Sequence, residues 1–126
     1  MIPGDKESWH KEWKRIADFN QSRGDDEISV GHIRTAMNCW LRAANYFRHA
    51  AFWLLPDDPR RLEAFTDMEN CSRNFLEKLN PAWEVLQIPF NANTPRVAYF
   101  VRATFDPSRT PCLISLACPD HLTGEM

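Results

Sequence analysis

The sequence predicts an α+β fold in which three helices precede a β-hairpin and one further strand. Two observations support this order. None of the nine prolines lies between Gly4 and Leu55, whereas six fall from Pro81 onward. Because proline removes a backbone donor and blocks helix interiors, long helices are possible only in the front of the chain. After Pro81 the apolar residues also change from three- and four-residue spacing to alternation. We therefore divide the chain into a helical part, residues 1–81, and a strand part, residues 82–126.

The first helix is predicted over residues 6–23. Residues at three- and four-residue steps place one apolar face along it: Trp9, Trp13, Ile16, Ala17 and Asn20. Gly24 follows in the sequence RGDD and is expected to adopt the left-handed conformation that ends a helix. His10 and His32 lie near predicted helix starts, where we expect exposed side chains.

The second helix is predicted over residues 30–54, with Ser29 as its N-cap. Its apolar stripe is continuous: Ile33, Met37, Trp40, Leu41, Ala44, Phe47, Ala51 and Leu54. The last third, NYFRHAAFWLL, is apolar nearly all round, so this helix must be covered on more than one side. Two neighbouring helices would supply that cover, and the alternative is that a missing domain or a ligand covers the extra aromatic surface.

The third helix is predicted to start at Asp58 and Pro59, because aspartate caps helices well and proline suits the first helical position. It ends before Pro81, which disfavours helical angles in the preceding residue. The stretches WEVLQIPF and RVAYFVRA then alternate apolar and polar residues and are predicted to form a hairpin. CLISLAC is a short, nearly continuous apolar run, which is typical of a strand buried on both faces.

The bulk properties exclude several classes of protein. A chain of 126 residues corresponds to about one domain. The net charge of -2 argues against nucleic acid as the main partner. The longest apolar stretches are too short to span a membrane, and the charged N-terminus lacks the apolar region of a signal peptide. The predicted compartment is the cytoplasm, where thiols stay reduced.

We predict no cofactor and no metal site. Cys112, Cys118 and His121 supply three ligands at best, whereas structural zinc sites usually need four. No complete catalytic triad can be read either, because no glycine pair brackets a serine and Ser115 lies within the apolar strand run. His49 has no visible orienting partner, which favours a structural role.

The aromatic residues of the second helix have two interpretations. They can form the core of a helix bundle, as most large apolar residues do. They can also form the apolar wall of a cleft for a flat aromatic small molecule. Both interpretations can hold at different positions. On the second interpretation, the candidate substrate-binding residues are Trp40, Phe47, Arg48 and Phe52.

The stretch GHIRTAMNCWLRAANYFRHAAFWLLPDDPRRLEAF resembles the N-terminal helical segment of one α/β-hydrolase group. This group includes the FrsA-like esterases, the bacterial dihydroxypseudooxynicotine hydrolase and the fungal pigment-pathway polyketide-shortening hydrolases. The shared features are a Gly-His start, an LRA-x-x-Y-[FY]-R-x-A core and an Asp-Pro-Arg sequence before the third helix. In this chain they are Gly31, His32, Leu41, Arg42, Ala43, Tyr46, Phe47, Arg48, Ala50, Asp58, Pro59 and Arg60.

The resemblance implies a helical cap module joined to the first strands of a truncated α/β-hydrolase sheet. It also implies hydrolysis of an ester, or of a C–C bond next to a carbonyl, in secondary-metabolite (polyketide) processing. In this family a glycine-rich oxyanion loop follows the buried strand. Here the stretch reads CPDHLTGEM. Asp120, Glu125 and Met126 roughly match the family's loop, whereas Cys118 and Pro119 stand near the place of its paired glycines.

The family's nucleophile, acid and histidine come later than this loop, so the chain is expected to be inactive alone. The alternative is a non-catalytic helical module. Such a module would bind an aromatic or polyketide small molecule, form a homodimer, or pair with a full-length hydrolase.

Overall fold

A computed structural model describes residues 1–79, 83–88 and 96–101, with side chains placed in the first of these ranges. It contains helices α1 (Lys6–Ser29), α2 (Ile33–Ala51) and α3 (Pro59–Glu77), then strands β1 (Trp83–Ile88) and β2 (Arg96–Val101). Met1–Phe75 belong to one compact unit, and the two strands belong to a second.

The predicted α+β fold class is wrong, because the described part of the unit that contains the core consists of helices and turns without a strand. The buried side chains come from α1, α2 and α3 and pack against one another. An α+β domain instead buries the apolar faces of its helices on a sheet. The described strands form only a two-stranded antiparallel pair, with Trp83 opposite Val101 and Ile88 opposite Arg96. The predicted strand CLISLAC lies outside the described residues.

The core is built on small residues of α2. Ala36, Ala43 and Ala50 recur every seven residues, lie on one helix face and are each 0% exposed. Ala17 of α1 is also 0% exposed and belongs to the same cluster as Ala36 and Ala43. Small side chains let neighbouring backbones approach closely. The larger members Trp40, Phe47 and Cys71 fill the remaining space.

The first helix continues past its predicted end at residue 23. It runs to Ser29, and Gly24 is buried within it. A Cβ atom on Gly24 would lie 2.6 Å from Nε1 of Trp40, so glycine is needed for close approach of the two helices. Trp40 Nε1 also donates to Asp25 Oδ1 at 2.9 Å. The left-handed conformation occurs instead at Gly31, where φ is 86°.

Both ends of the second helix differ from the prediction. It begins at Ile33 with His32 as the N-cap residue, and it ends at Ala51. Ser29 does not cap it, because the Ser29 hydroxyl donates to the Asp26 carbonyl at 2.6 Å in the last turn of α1. The predicted helix was too long at this end because the residues after Ala51 are also strongly apolar.

The start of the third helix was predicted correctly. The Arg60 N–H donates to Asp58 Oδ1 at 3.0 Å, which satisfies a free donor of the first turn. The Arg60 guanidinium then donates to Asp58 Oδ2 at 2.8 Å and to Glu7 Oε1 at 2.6 Å, which links α3 to α1. The hydrogen bonds that Arg60 donates to Asp58, first from its side chain and then from its backbone N–H, hold the pKa of the Asp58 carboxyl below its ordinary value.

Because of this lowered pKa, the free energy of unfolding depends on pH in the acidic range. Asp58 binds protons more weakly in the folded chain, so its contribution is complete above the unfolded pKa of about 3.9 and is lost as the pH falls below it. We expect Asp58→Asn, which keeps an oxygen acceptor, to reduce the loss of stability below about pH 4. Urea unfolding midpoints at a series of pH values measure this. Arg60→Met should reduce the loss similarly, and an unchanged acid profile in both variants would contradict the assignment.

Among the described residues, no helix combines the length and the apolar character needed to cross a membrane.

Candidate functional site

The structure separates the four predicted binding residues. Trp40 and Phe47 are 4% and 0% exposed and lie in the helical core. Arg48 is exposed, and Phe52 is 63% exposed just after α2. Two candidates therefore belong to the core and two to the surface. Asp120, the predicted remnant of the oxyanion loop, lies outside the described residues.

A cluster of rings between α1 and α2 was not predicted as a unit. Trp13 stacks on His49 with ring centroids 4.8 Å apart. The Trp13 ring also lies 5.5 Å from Tyr46 and 5.6 Å from Trp9. Trp9 and Trp13 are one turn apart on α1, and Tyr46 and His49 are one turn apart on α2, so the sequence signalled each pair but not their contact. His49 thus has an aromatic partner that the sequence did not reveal.

Two α1 side chains bind the last turn of α2. Trp9 Nε1 donates to the His49 carbonyl at 2.7 Å, and His10 Nδ1 lies 2.9 Å from the Ala50 carbonyl. Carbonyls in the last turn of a helix lack the regular intrahelical partner, and His10 contacts that of Ala50. The His49 carbonyl also accepts from the Phe52 N–H at 3.2 Å, so Trp9 adds a second hydrogen bond to it. His10 is only 6% exposed, so the prediction that it is exposed was wrong. Its position near a helix start did not reveal a contact 40 residues away.

An apolar hollow of about 390 Å³ lies at the start of α1. The chain from Met1 to Lys6, together with Trp9 and Trp53, lines it. The Lys6 ammonium lies 5.6 Å from the centroid of the Trp53 ring, a cation–π distance. Phe52 is not a lining residue, but its ring meets Trp53 edge-on at 4.8 Å.

A second hollow, beside Arg60, is polar. Its lining includes Glu7, His10, Lys14 and Asp18. Two ion pairs lie at this surface, because Lys14 bonds Asp18 at 3.0 Å and Arg60 bonds Glu7. Lys11 and Arg15 also line this hollow, so cationic side chains outnumber carboxylates there. The apolar hollow is the better candidate for an aromatic ligand, because its lining includes the indoles of Trp9 and Trp53.

The described histidines contact groups with structural roles. Besides His10, His32 Nδ1 lies 2.7 Å from Glu27 Oε2 and His49 Nδ1 lies 2.8 Å from the Asn45 carbonyl. None of these contacts joins a histidine to a serine or a cysteine. Within residues 1–79, 83–88 and 96–101, no group of three or more His, Cys, Asp or Glu side chains is placed to hold a metal ion.

Cys71 is a poor nucleophile in this environment. It is 0% exposed, and burial raises the pKa of its thiol to about 12. Thiolate is the reactive form, so we expect iodoacetamide at pH 8 to modify Cys71 much more slowly in the folded chain than in urea. Peptide mass spectrometry measures the two rates. Equal rates would show that Cys71 is accessible.

Sequence comparisons find relatives among fungal hydrolases. The α/β hydrolase xenA of Xenoacremonium sinensis is 33% identical over an alignment 126 residues long. This alignment covers 97% of this chain and 29% of the relative. Hydrolase acrC of Aspergillus aculeatus is 42% identical over 69 residues, covering 53% of this chain and 15% of the relative. The 20-hydroxy-prefusarin hydrolase of Gibberella moniliformis is 32% identical over 90 residues, covering 70% of this chain and 22% of the relative.

These similarities confirm the resemblance to α/β hydrolases that the sequence predicted. The chain spans less than a third of the length of each of these three relatives. No family model matches the chain. No solved structure matches it either.

Proposed function

We propose that this chain, a homologue of part of the fungal α/β hydrolases, acts as the helical module of such an enzyme and does not itself catalyse hydrolysis. The observation that carries the proposal is the identity to the xenA hydrolase, which extends over 97% of the chain. The alignment therefore includes both the helical unit and the two strands, and not the helices alone.

The helical unit supports a role as a module. Its helices bury one another around Phe47 and Trp40, and Arg60 links α3 to α1. The 126 residues contain no G-x-S-x-G sequence, which α/β hydrolases use to present the nucleophile. Catalysis by the hydrolase would therefore rely on a serine, an acid and a histidine supplied from outside these residues.

The finer features of the reaction belong to the same proposal. We expect the hydrolase to cleave an ester, or a C–C bond beside a carbonyl, in a small molecule of secondary (polyketide) metabolism. The name of the Gibberella moniliformis relative, a 20-hydroxy-prefusarin hydrolase, supports a small-molecule substrate. The cytoplasm, the domain boundary at residue 81 and the role of Asp120 stay predictions.

Labelling with a fluorophosphonate, which reacts with activated serines, tests the inactivity of the chain. The full 126-residue chain is expected to remain unlabelled and to hydrolyse p-nitrophenyl butyrate no faster than buffer. A serine esterase that reacts with fluorophosphonates and cleaves p-nitrophenyl butyrate serves as the positive control. A labelled serine in this chain, together with saturable hydrolysis, would overturn the proposal.

A second candidate function is binding of an aromatic small molecule by the helical unit itself. It is favoured by the apolar hollow at the start of α1 and by the exposed aromatic rings beside it. Phe52 and Trp53 are 63% and 47% exposed, although large apolar side chains are usually buried. A homodimer or a full-length hydrolase partner stays a prediction from the sequence.

A further inference from the structure

We propose that the apolar hollow at the start of α1 binds a flat aromatic carboxylate. The ring would lie against the indoles of Trp9 and Trp53, and the carboxylate would lie at Lys6. This inference rests on the second candidate function and is independent of the hydrolase proposal, since it concerns a ligand held by the helical unit alone.

The size and lining of the hollow fit a ligand of two fused rings. Its volume of about 390 Å³ falls in the range of small-molecule pockets, roughly 300–1,000 Å³. Met1, Ile2 and Pro3 supply much of the apolar lining. Met1 and Ile2 are 62% and 64% exposed, so a bound ring would remove apolar surface from water.

Hydrogen bonds hold the lining of the hollow in place. Trp9 is fixed by its bond to the His49 carbonyl at 2.7 Å. The preceding segment is tied to α1 because the Ile2 N–H donates to the Ser8 hydroxyl at 2.7 Å and the Asp5 N–H donates to the Ile2 carbonyl at 3.2 Å. A preformed site saves the entropy of ordering these residues when a ligand binds.

The charges around the hollow favour an anion. Lys6 forms no ion pair within residues 1–79, 83–88 and 96–101, whereas Lys14 is paired with Asp18. The carboxylate of Asp5 accepts hydrogen bonds from the N–H groups of Glu7 and Ser8, each at 3.2 Å, at the positive end of α1. The Lys6 ammonium is thus an unpaired side-chain charge beside the apolar lining, and it complements a carboxylate.

Titration of the full chain with 2-naphthoate tests the site. We expect saturable binding by calorimetry, with shifts of the Trp9 and Trp53 indole N–H signals in ¹H–¹⁵N spectra and no shift of the buried Trp40 signal. Trp53→Ala should weaken binding by about tenfold, because it removes an aromatic wall. Trp53 is 47% exposed, so this variant should keep the helical circular dichroism of the parent chain.

The role of the charge is tested separately. Lys6→Met should weaken 2-naphthoate binding by about threefold, as expected for an exposed ion pair, and should leave binding of neutral 2-naphthalenemethanol unchanged. Lys11→Met is the matched control on the same helix and should bind both compounds like the parent.

The proposal would be overturned by the absence of saturable binding, by unchanged affinity in Trp53→Ala, or by equal effects of the Lys6 and Lys11 variants. None of these results bears on fluorophosphonate labelling, so this inference and the hydrolase proposal can fail separately.

Discussion

Replacing Phe47 with alanine is expected to lower the free energy of unfolding by about 3–5 kcal/mol, the usual cost of removing a buried phenylalanine ring. Phe47 is 0% exposed and belongs to the cluster that includes Trp40 and Cys71. The Lys14 ammonium also lies 5.8 Å from the Phe47 ring, and this cation–π contact would be lost. Urea unfolding followed by far-ultraviolet circular dichroism measures the difference.

Phe52→Ala is the matched control, because Phe52 is 63% exposed five residues further along the chain. We expect this variant to lose less than about 1 kcal/mol, as is usual for surface substitutions. The contrast distinguishes a core aromatic residue from a surface one. A loss below about 1 kcal/mol in Phe47→Ala would contradict the placement of Phe47 in the core.

The second large effect is expected at Gly24, where alanine should destabilise the chain although it favours helices. Alanine gains about 0.8–1 kcal/mol in helix propensity over glycine. Its Cβ, however, would lie 2.6 Å from Nε1 and 2.7 Å from Cδ1 of Trp40. Moving the buried Trp40 ring costs about 1–3 kcal/mol. The ring would also lose its hydrogen bond to Asp25, worth about 1 kcal/mol. We expect a net loss of about 1–3 kcal/mol.

Two comparisons isolate the steric cause. Ser22→Ala, at an exposed position of the same helix, should not lower the unfolding free energy. In a Trp40→Leu background, which removes the indole, adding Gly24→Ala should cost much less than it does in the parent chain, because contacting residues are energetically coupled. An equal cost in both backgrounds would show that Trp40 is not the cause.

Local signals in the sequence predicted the structure correctly where it depends on residues that are neighbours in the chain. Asp58 followed by Pro59 predicted the start of α3, since the cap uses a bond two residues along the chain. Gly24 was misjudged because RGDD is typical of a helix end, while the close contact with Trp40 joins residues 16 positions apart. The helices also cover one another, so the predicted α+β class was wrong.

The candidate site was harder to predict for the same reason. Trp40, Phe47 and Phe52 were grouped as aromatic residues of one predicted helix, but the sequence does not show which of them a neighbouring helix covers. The hollow depends on the packing of the segment before α1 beside Trp53, a contact distant in sequence.

Several residues that carried the family resemblance have structural roles here. Phe47 and Ala50 are buried, and Asp58 pairs with Arg60. The motif therefore reports the architecture of a helical module more directly than it reports chemistry. This agrees with a chain that resembles hydrolases and contains no G-x-S-x-G sequence.

Exchange of this chain into a relative tests the central claim most directly. The segment of the xenA hydrolase that aligns with this chain would be replaced by residues 1–126, and ester hydrolysis by the chimera would be measured. If the chain is a hydrolase's helical module, the chimera should unfold cooperatively and hydrolyse an ester that the unmodified xenA hydrolase cleaves in the same assay. Its activity should fall when Phe47→Ala is added. A chimera that fails to fold, or that folds without hydrolysing the ester, would contradict the claim.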